Sequence, residues 1–220
     1  MTRRRVAHVL STALVTTGLV VFLDVAITLA WQEPLSSLAG WWEQRQAADE
    51  LDEVEREFAD AAPELGQRLN RTEVAGLAGR YADDLKTGQA IGRLEIEAIG
   101  VDFVMVEGTD TATLRRGPGH FPETVLPGQR GTVAVAGHRT TYLAPFKEVN
   151  EIEEGDRAVL EMPYGRFTYE FEKQRIVEPT QSGVVRDVGH DRLVLTACHP
   201  LYSADQRIVI FFRLLRSDPP

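Results

Sequence analysis

Short strands are the dominant pattern from residue 90 to residue 214, and they limit the folds that this chain can adopt. Residues 91–96 alternate apolar and polar side chains with a period of two, as expected for a strand with one buried face. Comparable segments, bounded by Gly, Pro and polar residues, follow at 101–106, 132–138, 157–161, 166–172, 175–178, 193–198 and 208–214. Eight short strands with few helices predict a mainly β fold, a closed or nearly closed eight-stranded barrel.

A mostly apolar stretch at residues 6–31 follows three arginines at residues 3–5 and contains a single acidic residue, Asp24. As a helix, a stretch of this length can cross the roughly 30 Å hydrocarbon core of a membrane. The positive-inside rule keeps the arginines in the cytoplasm, so the rest of the chain is expected outside it. We therefore predict an uncleaved, single-pass signal anchor in the cell membrane. A cleaved signal peptide is the alternative, although no clear small-x-small cleavage site precedes Trp31.

Helical spacing characterises the segment between this stretch and the strands. Residues 42–62 are rich in Ala, Glu, Asp and Arg, and Leu51, Val54 and Phe58 recur on one helix face. A second helix is predicted over residues 70–85. We interpret the segment as a stalk, with a regulatory or dimerising helix as the alternative. The predicted organisation is a cytoplasmic tail at 1–5, an anchor at 6–31, a helical stalk or linker at 32–88 and the β-barrel at 89–217.

Charge and composition narrow the classes of partner and cofactor. The chain has 24 basic and 33 acidic residues, and this net charge of -9 argues against a nucleic-acid partner. Five histidines and one cysteine contain no zinc-binding spacing such as a CxxC pair. The acidic run at residues 151–154 reads as a solvated turn rather than a calcium site. No metal and no cofactor are therefore expected.

Cys198, the single cysteine, ends the apolar run 193–198 beside a polar connection. One thiol cannot form an internal disulfide, and free cysteine is often simply a buried packing residue. A thiol at a strand end beside a loop is, however, placed to react. Because the thiolate is the nucleophile, a reactive cysteine needs a nearby cation or base.

Three histidines can be considered as the base. His138 ends an apolar strand and begins a polar segment, which is where a barrel presents catalytic groups. His120 lies in a loop rich in Gly and Pro, and His199 directly follows the cysteine. Adjacent strand residues point to opposite faces, which disfavours His199. His8 falls in the apolar stretch and His190 in a polar loop, and both are set aside.

Arg207 opens the apolar run 208–212, nine residues after Cys198. A hairpin across the connection 199–206 would bring the two strand ends side by side. A guanidinium stays charged at any relevant pH and donates hydrogen bonds in a fork, so it can hold a carbonyl or an oxyanion. The simpler interpretation of a single arginine is a side chain at a sheet edge.

These residues resemble the signature of the sortase family. Residues 196–198 (TAC), with an arginine opening the next strand, look like the cysteine motif, and residues 136–141 (AGHRTT) look like the histidine motif. The strings at 119–122 (GHFP), 198–200 (CHP) and 202–204 (YSA) are similar to the class E group of actinobacteria. The resemblance covers residues 89–215 in the family's order. Ala197 departs from it, because the family often has a second Thr or Ser there.

The resemblance implies a sortase-like barrel and a cysteine transpeptidase. Cys198 would attack the Thr–Gly bond of an LPxTG-like or LAxTG-like sorting signal and form a thioacyl intermediate, with His138 as the acid and base. Arg207 would hold the substrate carbonyl and the oxyanion. Thr196, Tyr202 and His120 are the expected substrate-binding residues. The partners would be secreted proteins that carry C-terminal sorting signals, and the acceptor amine would come from a cell-wall precursor or a pilin lysine.

Two other functions remain open at the level of sequence. An L,D-transpeptidase-like acyl transferase would act directly on peptidoglycan, but its usual Ser/Thr-His-Gly-x-Cys string is absent. A non-enzymatic, membrane-anchored β-domain that binds an envelope partner would require Cys198 to be an inert core thiol. The reactivity of this thiol distinguishes the enzymes from the binding domain.

Overall fold

The computed structural model describes residues 3–31, 34–61 and 69–218. Within them, eight strands close into a barrel in the order β1-β2-β3-β4-β7-β8-β6-β5, which confirms the predicted fold class. The strands are β1 (Ala90–Ile96), β2 (Val101–Glu107), β3 (Gly119–His120), β4 (Thr132–Ala136), β5 (Arg157–Met162), β6 (Gly165–Val177), β7 (Arg192–His199) and β8 (Gln206–Asp218). The described α-helices are α1 (Arg3–Trp31), α2 (Pro34–Ala61), α3 (Arg71–Asp83) and α4 (Thr111–Arg116), and 3-10 turns lie at Glu97–Ile99, Val149–Glu151 and Ser182–Val185.

Two differences from the sequence prediction offset each other in the strand count. The segments 166–172 and 175–178 form one strand, β6, which pairs antiparallel with β8. A shift of register between Phe171 and Lys173 absorbs one residue, so the polar run between the segments does not end the strand. The strand β3 lies in what the sequence pattern assigns to a loop, because two residues are too few to show a period.

Alternation along β7 and β8 divides their side chains between two apolar clusters. Leu195, Ala197 and Ile208 belong to the core inside the barrel. Val194 and Val209 belong to a second cluster with residues from the segment after β6, on the outer face of the sheet. The even-numbered residues of β7 and the odd-numbered residues of β8 therefore face outward.

Helix α3 closes one side of the barrel core. Asn70 caps its first turn, with Oδ1 accepting from the backbone N–H groups of the second and third helical residues. Glu73 accepts a hydrogen bond from Asn70 N at 2.7 Å, which completes a capping box. The helix buries Leu77 and Tyr81, which are 1% and 5% exposed, in the barrel core. The predicted helix at residues 70–85 is confirmed with slightly shorter bounds.

Helix α2 packs against the outer side of β1 and β2. Its buried residues Ala47 and Leu51 form a small apolar cluster with Ala90 and Val104. Because β3 pairs with β2 only at Val106 and beyond, the earlier part of this edge of β2 needs other hydrogen-bond partners.

Gln44 of α2 supplies those partners. Its side-chain amide accepts from Val104 N at 2.9 Å and donates to Val104 O at 2.9 Å and to Arg116 O at 2.6 Å. Glu50 accepts from Ala90 N at 3.2 Å and pairs with the Arg116 guanidinium at 2.6 Å. One face of α2 therefore serves as the hydrogen-bonding neighbour that β2 lacks.

Helix α1 contains the stretch Arg5–Ala26, with a mean hydropathy of 2.0. It is long and apolar enough to cross a membrane, and it is the one helix with that property in the described residues. Its length and composition are consistent with the predicted anchor.

Candidate active site

The ends of three adjacent strands, β4, β7 and β8, bring the predicted catalytic residues together. Cys198 lies opposite Arg207 in the antiparallel β7–β8 pair. Strand β4 runs parallel to β7, with Ala136 opposite Thr196 and Gly137 N donating to Thr196 O at 3.0 Å. Because β4 ends at Ala136, His138 leaves the strand at the same end of the sheet as Cys198.

Cys198 has a free, half-buried thiol on the outward-facing side of β7. Its neighbour Ala197 points the other way, into the barrel core, and is 4% exposed. Cys198 is therefore not a core thiol like the inward-facing residues around it. A second hydroxyl residue at position 197 would point into the same core, away from the thiol.

His138 is half-buried directly after β4. Burial lowers the pKa of its imidazole, and the positive charge of Arg115 lowers it further. The neutral ring is thus the main form at neutral pH. Its Nε2 is buried and finds no hydrogen-bond partner among the described residues. Buried polar groups in folded proteins nearly always have a partner, so this nitrogen marks His138 as a candidate functional residue.

The segment after His138 has an unusual backbone. Tyr142, Leu143 and Ala144 have φ angles of 49°, 64° and 45°, in the left-handed region that non-glycine residues seldom adopt. Each such residue costs of order 1 kcal/mol, so contacts from the surroundings must hold the segment. Two backbone hydrogen bonds contribute, from Ala144 N to Thr141 O at 2.8 Å and from Phe146 N to His138 O at 2.9 Å.

Tyr142 links this segment to two helices. Its ring lies 5.3 Å from the His138 ring, centroid to centroid, and the Arg115 guanidinium of α4 lies 5.6 Å from the Tyr142 centroid. Gly40 of α2 approaches the Tyr142 backbone so closely that a Cβ there would lie 2.9 Å from the tyrosine carbonyl carbon. The helices α2 and α4 therefore brace the chain next to His138.

Arg207 folds back on the connection between β7 and β8. Its Nη1 donates to Ala204 O and to Gln206 O, both at 2.9 Å. These bonds fix the side chain at the strand end while committing only one of its three nitrogens. The other nitrogens can donate to a carbonyl or an oxyanion.

Arg139, which had no predicted role of its own, is the charged residue that the structure adds to the site. It is 6% exposed. Its Nη2 donates to Lys147 O at 3.0 Å and to Asn150 Oδ1, and its Nη1 lies 3.4 Å from Cys198 O and from His199 Nδ1. A charged residue directly after a buried strand and a histidine is the sequence signal that could have pointed to it.

The predicted substrate-binding residues fall in two places. Thr196 shares the outward face of β7 with the cysteine and is partly exposed, and Tyr202 is 68% exposed in the β7–β8 connection. His120 is 3% exposed. Its Nδ1 lies 2.8 Å from the Glu107 carboxylate, and its Nε2 lies 3.1 Å from Thr124 Oγ1. Both ring nitrogens of His120 are therefore held by partners within the protein, the buried Glu107 carboxylate and the partly buried Thr124 hydroxyl.

No group of three or more metal-binding side chains occurs in residues 3–31, 34–61 and 69–218. A cavity of about 730 Å³ is lined by residues that include Val74, Phe167 and Ser217. Ser217 lies near the end of β8 remote from Arg207, so this cavity is distinct from the site at Cys198.

The comparisons with known proteins identify the family. The Sortase domain family profile matches residues 94–215, more than half of the chain. Sortase D of Bacillus subtilis is 37% identical over 131 residues, which cover 57% of this chain and 64% of that protein, so less than two thirds of Sortase D is matched. Sortase SrtE2 of Streptomyces coelicolor is 28% identical over 229 residues, which cover 96% of this chain and 82% of that protein.

A solved structure agrees with this result. The crystal structure of Sortase E1 from Streptomyces coelicolor, which holds a tripeptide in its active site, matches with a TM-score of 0.59 and 26% identity. The match covers 60% of this chain and 91% of that one. The chain belongs to the sortase family. Relatives of both the D and E types are similar to it, which is consistent with the class E resemblance.

Proposed function

We propose that this protein is a membrane-anchored transpeptidase that cleaves the Thr–Gly bond of a C-terminal sorting signal through a thioacyl intermediate on Cys198. One observation carries the proposal. Cys198 and Arg207 are cross-strand partners at the strand ends where His138 leaves β4, on the outward face of the sheet. A nucleophile, a proton carrier and a fixed cation are the three groups that acyl transfer requires.

The first half-reaction uses all three groups. The Cys198 sulfur attacks the threonine carbonyl carbon, and the thiol proton passes to His138. The oxyanion that forms accepts hydrogen bonds from Arg207. As the carbonyl re-forms, the C–N bond breaks, and His138 gives its proton to the departing glycine nitrogen. The products are a thioester between the threonine and Cys198 and a free peptide that begins with glycine.

The second half-reaction reverses these roles. An incoming primary amine attacks the thioester carbonyl, and neutral His138 takes the proton that the amine loses. Burial and the charge of Arg115 lower the pKa of His138, which favours the neutral form that this step needs. The C–S bond then breaks, and the proton on His138 returns to the Cys198 sulfur. An amide bond joins the threonine to the acceptor.

The substrate and acceptor follow from the class E resemblance. The signal is of the LAxTG or LPxTG type, and Thr196 and Tyr202 line its binding groove. The acceptor is an amine of a cell-wall precursor or a pilin lysine. Helix α1 anchors the chain with residues 3–5 in the cytoplasm and the barrel outside, where such substrates are found.

The experiment is mass spectrometry of the full chain in detergent micelles after incubation with an LAxTG peptide. We expect the mass of the acyl-threonine fragment on Cys198 and none on Cys198→Ala. A peptidoglycan tetrapeptide serves as the competing substrate. An adduct from the tetrapeptide alone would support the L,D-transpeptidase alternative and overturn the proposal. A thiol inert to both peptides and to sulfonate reagents would favour the non-enzymatic domain.

A further inference from the structure

Helix α2 carries an exposed apolar stripe on the side that faces away from the barrel. Leu38, Trp41 and Trp42 are 66%, 49% and 57% exposed. Their spacing of three and four residues puts them on one helix face. Gly40 and Gln44, which contact the rest of the protein, lie on the other side of the helix. We call Leu38, Trp41 and Trp42 the tryptophan stripe, and adjoining large apolar side chains in such a position mark an interaction surface.

The short distance from the end of α1 identifies lipid as the partner of the stripe. Helix α1 ends at Trp31 and α2 begins at Pro34. A chain of this length extends about 10 Å at most, and the stripe starts about 6 Å further along α2. An anchor helix that ends at the membrane surface therefore keeps the stripe within reach of the lipid head groups. Tryptophan is enriched at this boundary because its ring is apolar and its N–H is polar.

The charges that follow the stripe limit the contact to the first turns of α2. The Arg45 guanidinium is exposed and lies 5.4 Å from the centre of the Trp41 ring, where it can meet the phosphates of anionic lipids. Asp49 and Asp52 come next on the same face and are exposed. An anionic surface would repel these carboxylates, so the lipid contact ends at Arg45.

We propose that the tryptophan stripe lies in the outer interface of the membrane and holds the active-site end of the barrel beside the lipid surface. The inference rests on the proposed function only for the role of α1 as the anchor. Gly40, next to Trp41 in the chain, closely approaches the Tyr142 backbone, and the Tyr142 ring lies 5.3 Å from the His138 ring. Because a helix is about 10 Å across, roughly one helix diameter separates the segment after His138 from lipid.

Tryptophan fluorescence tests the position of the stripe. The chain has three tryptophans, so Trp31→Phe leaves only the two in the stripe as reporters. This full-length variant is reconstituted into vesicles of phosphatidylcholine and phosphatidylglycerol. Brominated phosphatidylcholine should lower the emission about two-fold or more, whereas iodide in the water should quench it weakly.

A matched reporter at the other end of the barrel provides the control. Leu215 is 52% exposed near the end of β8 remote from Arg207. In a chain whose three tryptophans are replaced by Phe, Leu215→Trp should be quenched by iodide and not by the brominated lipid. Iodide quenching of the stripe without lipid quenching would overturn the proposal. Protection of the stripe from both quenchers would also overturn it, because protein, such as a second copy of the chain, would then cover the stripe.

Energy transfer to a dye on the lipid head groups tests the position of the active-site end. Ala204 lies in the β7–β8 connection beside Arg207, Ser217 lies near the other end of β8, and both are exposed. Each is labelled through Ala204→Cys or Ser217→Cys in the Cys198→Ala background. Transfer should be more efficient from position 204 than from position 217. Adding Trp41→Gln and Trp42→Gln should lower the transfer from position 204, whereas Leu215→Gln should leave it unchanged.

Equal transfer from the two positions would overturn the proposal, as would transfer from position 204 that the double Gln variant leaves unchanged. If the double Gln variant does not fold, the quenching results and the comparison of the two labelled positions decide. The proposed function can fail separately, because none of these measurements uses a sorting peptide or the Cys198 thiol. A stripe found in the interface of a protein that forms no thioacyl adduct supports this inference and contradicts the transpeptidase.

Discussion

At the scale of single residues, the electrostatics of His138 come from identifiable neighbours. Burial is the larger cause of its lowered pKa, and Arg115 is the smaller one. A nearby positive charge disfavours the imidazolium, so removing that charge must raise the pKa. The Tyr142 ring contacts both side chains, at 5.6 Å from the Arg115 guanidinium and 5.3 Å from the His138 ring.

We predict that Arg115→Gln raises the pKa of His138, so the ring becomes neutral only at higher pH. Arg115→Lys keeps the charge and should leave the pKa near that of the parent. The measurement is an NMR titration of the His138 ring protons. A lower pKa in Arg115→Gln would show that the arginine acts through the position of Tyr142 rather than through charge.

His120 is the second prediction at this scale. His120→Ala leaves the Glu107 carboxylate buried without its partner, so the free energy of unfolding should fall by about 3 kcal/mol. Under conditions in which the variant stays folded, kcat/KM for a signal peptide should stay within a factor of two or so of the parent value, because the His120 ring is buried. Denaturant titration and steady-state kinetics check the two parts. A large fall in kcat/KM without loss of stability would contradict this prediction and support His120 as a substrate-binding residue.

At the scale of elements, α2 is coupled to the segment after His138 by one close approach, between Gly40 and the Tyr142 backbone. Gly40 has no room for a side chain against the Tyr142 backbone, whereas a Cβ at Gly76 of α3 would meet nothing within 4 Å. Both glycines lie inside helices, where alanine is the better helix former by about 1 kcal/mol. Alanine substitutions at these two positions therefore separate the gain in helix propensity from the effect of pushing on the segment after His138.

We predict that Gly76→Ala stabilises the protein by about 0.5–1 kcal/mol and leaves catalysis unchanged. Gly40→Ala gains the same helix propensity, but its methyl group pushes on the Tyr142 backbone. We therefore expect kcat/KM to fall several-fold, by about 10-fold at most. Chemical denaturation and peptide cleavage assays on both variants test this. Equal kinetics in the two variants would mean that α2 does not act on the loop.

The elements also show what sequence could and could not predict. The alternation of apolar and polar residues in β1 and the apolar runs in β7 and β8 predict the barrel and the strand ends that carry Cys198 and Arg207. This works because the burial of strand residues leaves a pattern in the local sequence. The strand β3 and the continuous β6 were missed, since a two-residue strand and a bulge depend on partners distant in sequence. Arg139 was missed for the same reason: its burial follows from contacts with β7 and Asn150.

At the scale of the whole molecule, the barrel depends on helices outside the matched sortase domain. Residues 94–215 carry the family match, yet Leu77 and Tyr81 of α3 lie in the barrel core and Gln44 of α2 satisfies the backbone of β2. The predicted stalk at residues 32–88 thus contains parts that pack on the barrel.

We predict that a fragment of residues 34–220 keeps peptide cleavage, whereas a fragment of residues 89–220 is strongly destabilised. The shorter fragment loses the buried side chains of α3, each contributing about 1.5–3 kcal/mol. Circular dichroism during thermal unfolding compares the two fragments. A shorter fragment as stable as the longer one would contradict the packing role of α2 and α3.

The central claim is that Cys198 carries the acyl group, and trapping that intermediate tests it most directly. Full-length protein incubated with an LAxTG peptide and no amine should show, by mass spectrometry, the acyl-threonine mass on the Cys198 peptide. Adding a primary amine should remove the adduct and release the peptide joined to that amine. Cleavage of the peptide by Cys198→Ala at the parent rate, with no adduct on the parent, would contradict the account.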